Sequence, residues 1–399
     1  MKKPVLSLLL LAASVPAMSG DLEVTGSLGA EVRTFVERGA LPGQLETWQP
    51  SLLLEGDIRW LSDNRQWDLV MVPYARLDAK DDGRSHFDMR EAYVRWTGET
   101  WSVRAGLGKV FWGVTESRHL VDIINQSDTV EDIDNEDKLG QPMIEVAASR
   151  DWGQLTGYIM PRFRERSFAG SDGRLRPPLP VDDSRAQFDS GQDDDGDVDL
   201  ALRYSHYFGD WDVGLSLFHG VDREPRLVLD AGSGVLVPFY DDISQVGLDL
   251  QYTRDAWLWK FESIVRHTPF ETFAAVVGGF EYTFYGVTGE GADLGVLMEL
   301  QYDGRTADPL LAPITIADND LFVGTRLALN DTADTDFLGG VVADLEDGSM
   351  SGLIEASTRI GDTWVAEVEG RFFINVDPTN PLAGFKEDSH LILRLTRYF

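Results

Sequence analysis

The chain has 399 residues, 43% apolar and 26% charged, and 35 Lys+Arg against 67 Asp+Glu leave a net charge of −32. This composition excludes a collagen-like or wholly disordered chain, and the acidic balance excludes a protein that wraps nucleic-acid phosphate. The absence of cysteine excludes a disulfide framework, a zinc–thiolate site and a thiol nucleophile.

At the N-terminus, Lys2 and Lys3 precede an apolar run from Val5 to Val15 and small residues around Ala17 to Gly20. This is the order of a secretory signal peptide, so residues 1–19 are expected to be a leader cut near Ser19 or Gly20. The mature chain, 20–399, is then exported. No later stretch offers about 18 uncharged apolar residues, so transmembrane helices are not expected.

Beyond the leader the hydrophobic period is two. Apolar residues at Trp67, Leu69, Met71, Pro73, Ala75 and Leu77 alternate with Asp68, Tyr74, Arg76 and Asp78, a spacing that a helix does not keep. The pattern returns at 101–107, 211–217, 246–252, 257–262 and 294–302. About 18 strands are expected, with 16 as the alternative. Many are about ten residues long, as membrane-crossing strands need to be.

The connections separate a membrane barrel from a soluble sandwich or propeller, whose strands also alternate. Short turns with Gly or an acid end in Trp67, Trp101, Trp211, Trp257 and Trp364, while longer polar stretches fall at 36–48, 113–141, 161–197, 222–241, 303–319 and 374–388. With strand 1 near 22–35, every Trp-flanked turn joins an even strand to an odd one, and every long stretch joins odd to even. Short periplasmic turns, long external loops and an aromatic rim are expected of a single antiparallel all-β, up-and-down transmembrane barrel.

The last strand alternates from Leu391 to Leu395 and ends Tyr398-Phe399. It resembles the C-terminal signature of bacterial outer-membrane proteins, which implies recognition of Tyr398 and Phe399 by the barrel-assembly machinery. Arg397 departs from the apolar pattern, at a position where headgroups tolerate a long cation. Gly106, Lys109, Trp112 and Gly113 resemble the G-x-x-(Q/K)-x-x-W-G pattern of large proteobacterial porin-like barrels, and more distantly of alginate-export-type channels. The arginine-rich lumen that the latter imply is not matched here.

Strand parity places Arg76, Arg95, Arg104, Arg203, Lys260 and Arg266 in the lumen, opposed by Glu91, Glu262, Glu299 and Glu369. With the wall nearly balanced, the acidic surplus belongs to turns and loops. Stretch 113–141, the third external loop, carries Glu116, Asp122, Asp128, Glu131, Asp132 and Asp134. It is expected to fold inward as a constriction, as that loop does in general porins, with its acids facing Arg76, Arg95 and Arg104. The alternative is a solvated loop bridged by divalent cations among lipopolysaccharide phosphates.

In the long charged loop 161–197, Arg162, Arg164, Arg166, Arg174 and Arg176 balance the Asp-rich end of the same segment, or bind anionic solute or lipid. The run Gln192 to Asp197 lacks an EF-hand frame because Gly191 holds the first position. The six histidines form no metal-spaced pair. Ser117, His119 and Asp122 are the nearest catalytic constellation, in a polar loop where such residues are common, and no enzyme is expected.

The expected function is passive diffusion of small hydrophilic or anionic solutes across the outer membrane, with no cofactor and no metal. A non-conducting structural barrel, or the outer-membrane part of an export complex, is the alternative. Outer-membrane lipid, lipopolysaccharide, the assembly machinery and a small polar solute are the expected partners. A homotrimer is one compatible assembly.

Overall fold

The computed structural model describes residues 19–189, 198–289 and 291–399. The expected leader, apart from Ser19, and the run Gln192 to Asp197 lie outside the described residues. In chain order the strands are β1 (Gly20–Phe35), β2 (Trp48–Ser62), β3 (Trp67–Asp78), β4 (His86–Thr97), β5 (Trp101–Gly108), β6 (Gln141–Arg150) and β7 (Gly153–Met160). There follow β8 (Gln187–Phe188), β9 (Asp199–Phe208), β10 (Trp211–Val221), β11 (Arg226–Asp230), β12 (Val235–Tyr240), β13 (Asp242–Arg254) and β14 (Trp257–His267). The last are β15 (Thr272–Phe284), β16 (Asp293–Asp303), β17 (Asn319–Ala328), β18 (Asp336–Asp344), β19 (Met350–Ile360), β20 (Trp364–Ile374) and β21 (His390–Tyr398).

All but β8, β11 and β12 form one 18-stranded antiparallel sheet. It closes because β1 pairs with β2 along one edge and with β21 along the other, from Ser27 opposite Tyr398 to Phe35 opposite His390. Closure removes the open edge that lipid could not satisfy. The higher of the two expected strand counts is the one found.

The two faces of the sheet are inverted relative to a water-soluble protein. In β14, Trp259 and Val265 are 47% and 51% exposed, whereas Lys260 and Glu262 are 9% and 0%. Leu52, Leu54, Leu215, Leu217, Leu300, Val323, Leu393 and Leu395 continue the outward band on other strands. A continuous apolar surface of this extent is stable against hydrocarbon, not water. Trp67, Trp101, Trp152, Trp211, Trp257 and Trp364 are exposed at the end that carries the short turns 63–66, 98–100, 151–152, 209–210, 255–256 and 361–363. Several are locked by neighbouring rings, as Trp257 is by Trp259 and Tyr282 at 5.5 and 4.7 Å.

The opposite end carries the long connections, together with tight ones at 79–85, 268–271 and 345–349. Stretch 222–241, expected as a plain polar loop, instead holds the β11–β12 hairpin, onto which β8 adds in parallel. Its apolar run 235–239 after Gly232 and Gly234 is the signal that marks it.

Candidate functional site

The connection 109–140 leaves β5 and enters the barrel. At its root Gly106 has φ +137°, and a Cβ there would lie 2.2 Å from the Ala92 carbonyl oxygen, so only glycine lets β5 bend against β4. Buried Asn125 holds the two limbs together: its Nδ2 donates to the carbonyls of Gly108 and Leu139, and its Oδ1 accepts from Val110 N. Trp112 packs edge-on against Tyr158, with Arg203 over its ring at 5.2 Å. Val121, Ile123 and Ile124 bury against the inner faces of Met143, Met160, Phe218, Ile243, Ile264 and Val277. Burying each such aliphatic side chain contributes about 1.5–3 kcal/mol, which seats the loop on one wall.

Polar contacts then carry the loop across the lumen. Glu262, fully buried, accepts from the backbone N–H groups of Val114, Thr115 and Val121 and from the Thr115 hydroxyl. Glu299 accepts from Glu116 N, Ser117 N and Ser117 Oγ. Lys260 and Arg326 approach Glu116 at 3.3 and 2.6 Å, and Arg118 reaches Asp303 at 2.8 Å. On the far wall, Glu131 accepts from Arg76 and Tyr74, while Arg33 donates to the Glu131 carbonyl. Arg90 holds Asp128 at 2.7 Å, and Arg371 lies 3.7 Å from Asp132 and hydrogen-bonds Asp134. Glu31 joins Arg76, Arg84 and Arg394 beneath the loop.

The loop carboxylates are not electrostatically equivalent. Burial pushes Glu131 up, but the guanidiniums of Arg76, Arg84 and Arg90 outweigh it and hold the group down at about 2. Burial and the neighbouring Asp132 charge push Asp134 up to about 7 against the pull of Arg371. Burial and Glu131 likewise raise Asp137 to about 6. Among the described residues, His86, Asp128 and Glu131 form the single His–carboxylate group compact enough for a metal ion. Arg76 and Arg90 already occupy its carboxylates, so a divalent cation there would lie against two guanidiniums.

No family model matches the sequence, and no curated protein matches it. Among solved structures the chain is similar to OccK11 (OpdR) of Pseudomonas aeruginosa, with 9% identity and a TM-score of 0.54 over 96% of this chain and 97% of that one. It is similar to a BenF-like porin from Pseudomonas fluorescens Pf-5, with 8% identity and a TM-score of 0.54 over 96% and 99% of the two chains. OccAB3 of Acinetobacter baumannii gives 8% identity and a TM-score of 0.52 over 95% and 99%. The chain has the fold of an outer-membrane porin.

Within this porin fold the residues singled out by parity occupy the inner face but make different contacts. Arg76 is wholly covered, because Glu31 and Glu131 enclose it. Arg95 and Arg104, expected to face the loop acids, instead bind wall acids beside them: Arg95 lies 3.3 Å from Asp68, and Arg104 hydrogen-bonds Glu145. Both arginines lie close to the short turn 98–100, opposite each other in the β4–β5 ladder. Arg203 forms a two-bond pair with Asp249 at 2.8 Å, and Arg266 reaches Gln245 and Asp222. Glu91 accepts from Lys109 N, and Glu369 lies 3.3 Å from Arg394. Asp122 turns back to Trp112 N and Lys138.

Ser117, His119 and Asp122 form no relay. The serine hydroxyl is given to Glu299, while His119 lies 3.9 Å from Glu262 and stacks edge-on against Phe111. In the long loop, Arg164 binds Asp88 and the Gly140 carbonyl, Arg166 binds Gln126, and Arg174 binds Asp388. These arginines fasten their segment to other elements, where charge balance within the segment was expected. The contacts of Arg33, Arg84, Arg90 and Asn125 escape sequence reasoning. Glu31 and Arg33 alternate visibly with apolar residues in β1, but Arg84 and Asn125 sit in connections with no periodicity.

Proposed function

We propose that this chain is an outer-membrane channel for passive diffusion of small solutes, in which segment 113–141 forms the constriction. The observation that carries this reading is the inward loop, hydrogen-bonded to both walls, with charged inner-face residues such as Arg95, Arg326, Glu355 and Glu367 left partly exposed. Opposed charges across a narrow passage order water and sort solutes by charge. The reading needs no cofactor. Its assembly signal is Tyr398-Phe399, its surroundings are outer-membrane lipid and lipopolysaccharide, and a homotrimer is compatible with it.

Planar-bilayer recording tests the proposal. Purified full-length protein is expected to give discrete, ohmic steps in KCl and a measurable reversal potential in a salt gradient. Absence of conductance at several salt concentrations would favour a barrel closed by its own loops.

A further inference from the structure

Above the constriction, on the side formed by β16 to β20, lies a cavity of about 460 Å³. Ile314, Ile316, Leu353, Phe373, Leu382 and Phe385 supply much of its lining. Ile314 and Ile316 are 64% and 50% exposed, although they sit on a loop at the barrel mouth where water would ordinarily select polar residues. An apolar wall next to a charged lumen suits an occupant with an apolar body and a charged end.

The cavity lining carries seven cations and seven acids, but they are unevenly paired. Its cations are committed to protein acceptors. Arg118 is held by Asp303 and the Ala317 carbonyl, Arg305 by Asp303 and Glu224, Arg371 by Glu355 and Asp134, and Lys138 by Asp122. The acids are not all committed. Asp320 and Asp344 stand directly opposite each other on paired strands, an arrangement that repels. Among the described residues no cationic side chain lies within ion-pair distance of either, nor of Glu136, which also lines the cavity. Asp320 is 2% exposed, and its Oδ2 has no hydrogen-bond partner. Asp344 accepts from Asn380 and from the backbone N–H groups of Glu346 and Asp347, neutral donors that fix it beside the cavity and leave its charge unpaired. A buried carboxylate oxygen left without a donor, next to a second carboxylate, is completed by a proton at low pH and by a cationic donor at high pH.

We propose that this cavity binds organic cations, solutes with a protonated amine against Asp320 and Asp344 and an aliphatic or aromatic body against the Ile314–Phe373 wall. The site thereby sets a preference among the solutes that enter. It rests on the channel reading for its role in passage, not for its existence, so the two are tested separately. Isothermal titration calorimetry on the detergent-purified full chain at pH 8 uses phenethylammonium, ethylammonium and phenylacetate as probes. Phenethylammonium is expected to bind, ethylammonium about tenfold more weakly, and phenylacetate not at all. Asp320→Asn with Asp344→Asn is expected to weaken phenethylammonium at least about tenfold, with heat-modifiable gel migration confirming the folded barrel. Equal binding of phenylacetate, or an unchanged affinity in the folded double variant, would overturn the proposal, and the ligand series on the unaltered chain does so even if the variant fails to fold. Conductance without phenethylammonium binding would remove the site and leave the channel. Binding without conductance would do the reverse.

Discussion

Glu131 shows how a single side chain holds the inward loop to the β3 wall. It neutralises Arg76, whose guanidinium has no contact with solvent, and accepts from Tyr74 at 2.9 Å. Without Glu131, Arg76 keeps only Glu31, which Arg84 and Arg394 already share, so the loss costs about 3 kcal/mol, the low end for breaking a buried pair. Glu131→Ala is therefore expected to release the loop from the β3 wall, seen as faster proteolysis within 113–141 and noisier single-channel current. The loop acids also make the docking of the loop pH-dependent. Asp137 and Asp134 titrate at about 6 and 7, above the ordinary value of 3.8. Between about pH 4 and 7 the docked loop therefore binds more protons than the released one, and docking weakens as pH rises through that window. Glu131 acts oppositely: held at about 2 against an ordinary 4.5, it contributes stability above pH 4.5 that is lost as pH falls toward 2. Reversal potentials at pH 5 and pH 8 are expected to show a rising preference for K⁺ over Cl⁻. Asp134→Asn should abolish the part of that rise above pH 6.5, and an identical profile in the variant would exclude Asp134 as its source.

At the scale of the element, the loop 109–140 combines a legible root with an illegible course. Gly106, Trp112 and Gly113 stand out in the sequence because a backbone that leaves a strand sharply needs glycine, here with φ +137° and +149°. The apolar group Val121, Ile123 and Ile124, amid acids, is also visible. What cannot be read from the chain is that Glu262 and Glu299, 120 or more residues away, receive the loop's N–H groups. That depends on where backbone donors fall once the loop crosses the barrel. Two mutations test this element. Deleting 120–138 is expected to raise single-channel conductance roughly two- to threefold, since the narrowest section limits the current. Unchanged conductance and selectivity would mean that the loop does not constrict the pore. Gly106→Val should lower the folded fraction, because its side chain meets the Ala92 carbonyl, and the shift in heat-modifiable gel migration reports it.

For the whole molecule the decisive event is closure. Gly26 and Phe399 exchange two backbone hydrogen bonds at 3.0 Å, beyond the β1–β21 ladder, and Arg397 lies over the Trp364 ring at 5.7 Å on the lipid side. Each backbone bond contributes about 0.5–1.5 kcal/mol, so loss of Phe399 alone should leave a formed barrel thermodynamically viable. If Phe399 is also the assembly signal, its deletion will lower the assembled fraction in cells far more than it lowers the unfolding temperature of the purified protein. Equal losses in both would assign it a purely structural role.

By itself the sequence determined the all-β class, the strand positions, the end of the barrel that carries the aromatic rim, and which side chains face inward. These follow from a local rule, the period of two, which needs no knowledge of distant residues. Only the tertiary structure decided which inner charges stay exposed to the lumen and which are consumed in holding the loop. It also decided that Arg95 and Arg104 turn to Asp68 and Glu145, and that Asp320 and Asp344 face each other with no cationic side chain within ion-pair distance among the described residues. Charge pairing across a lumen is set by distances between strands far apart in the chain, and electrostatic energy depends on those distances and on burial, not on order along the sequence.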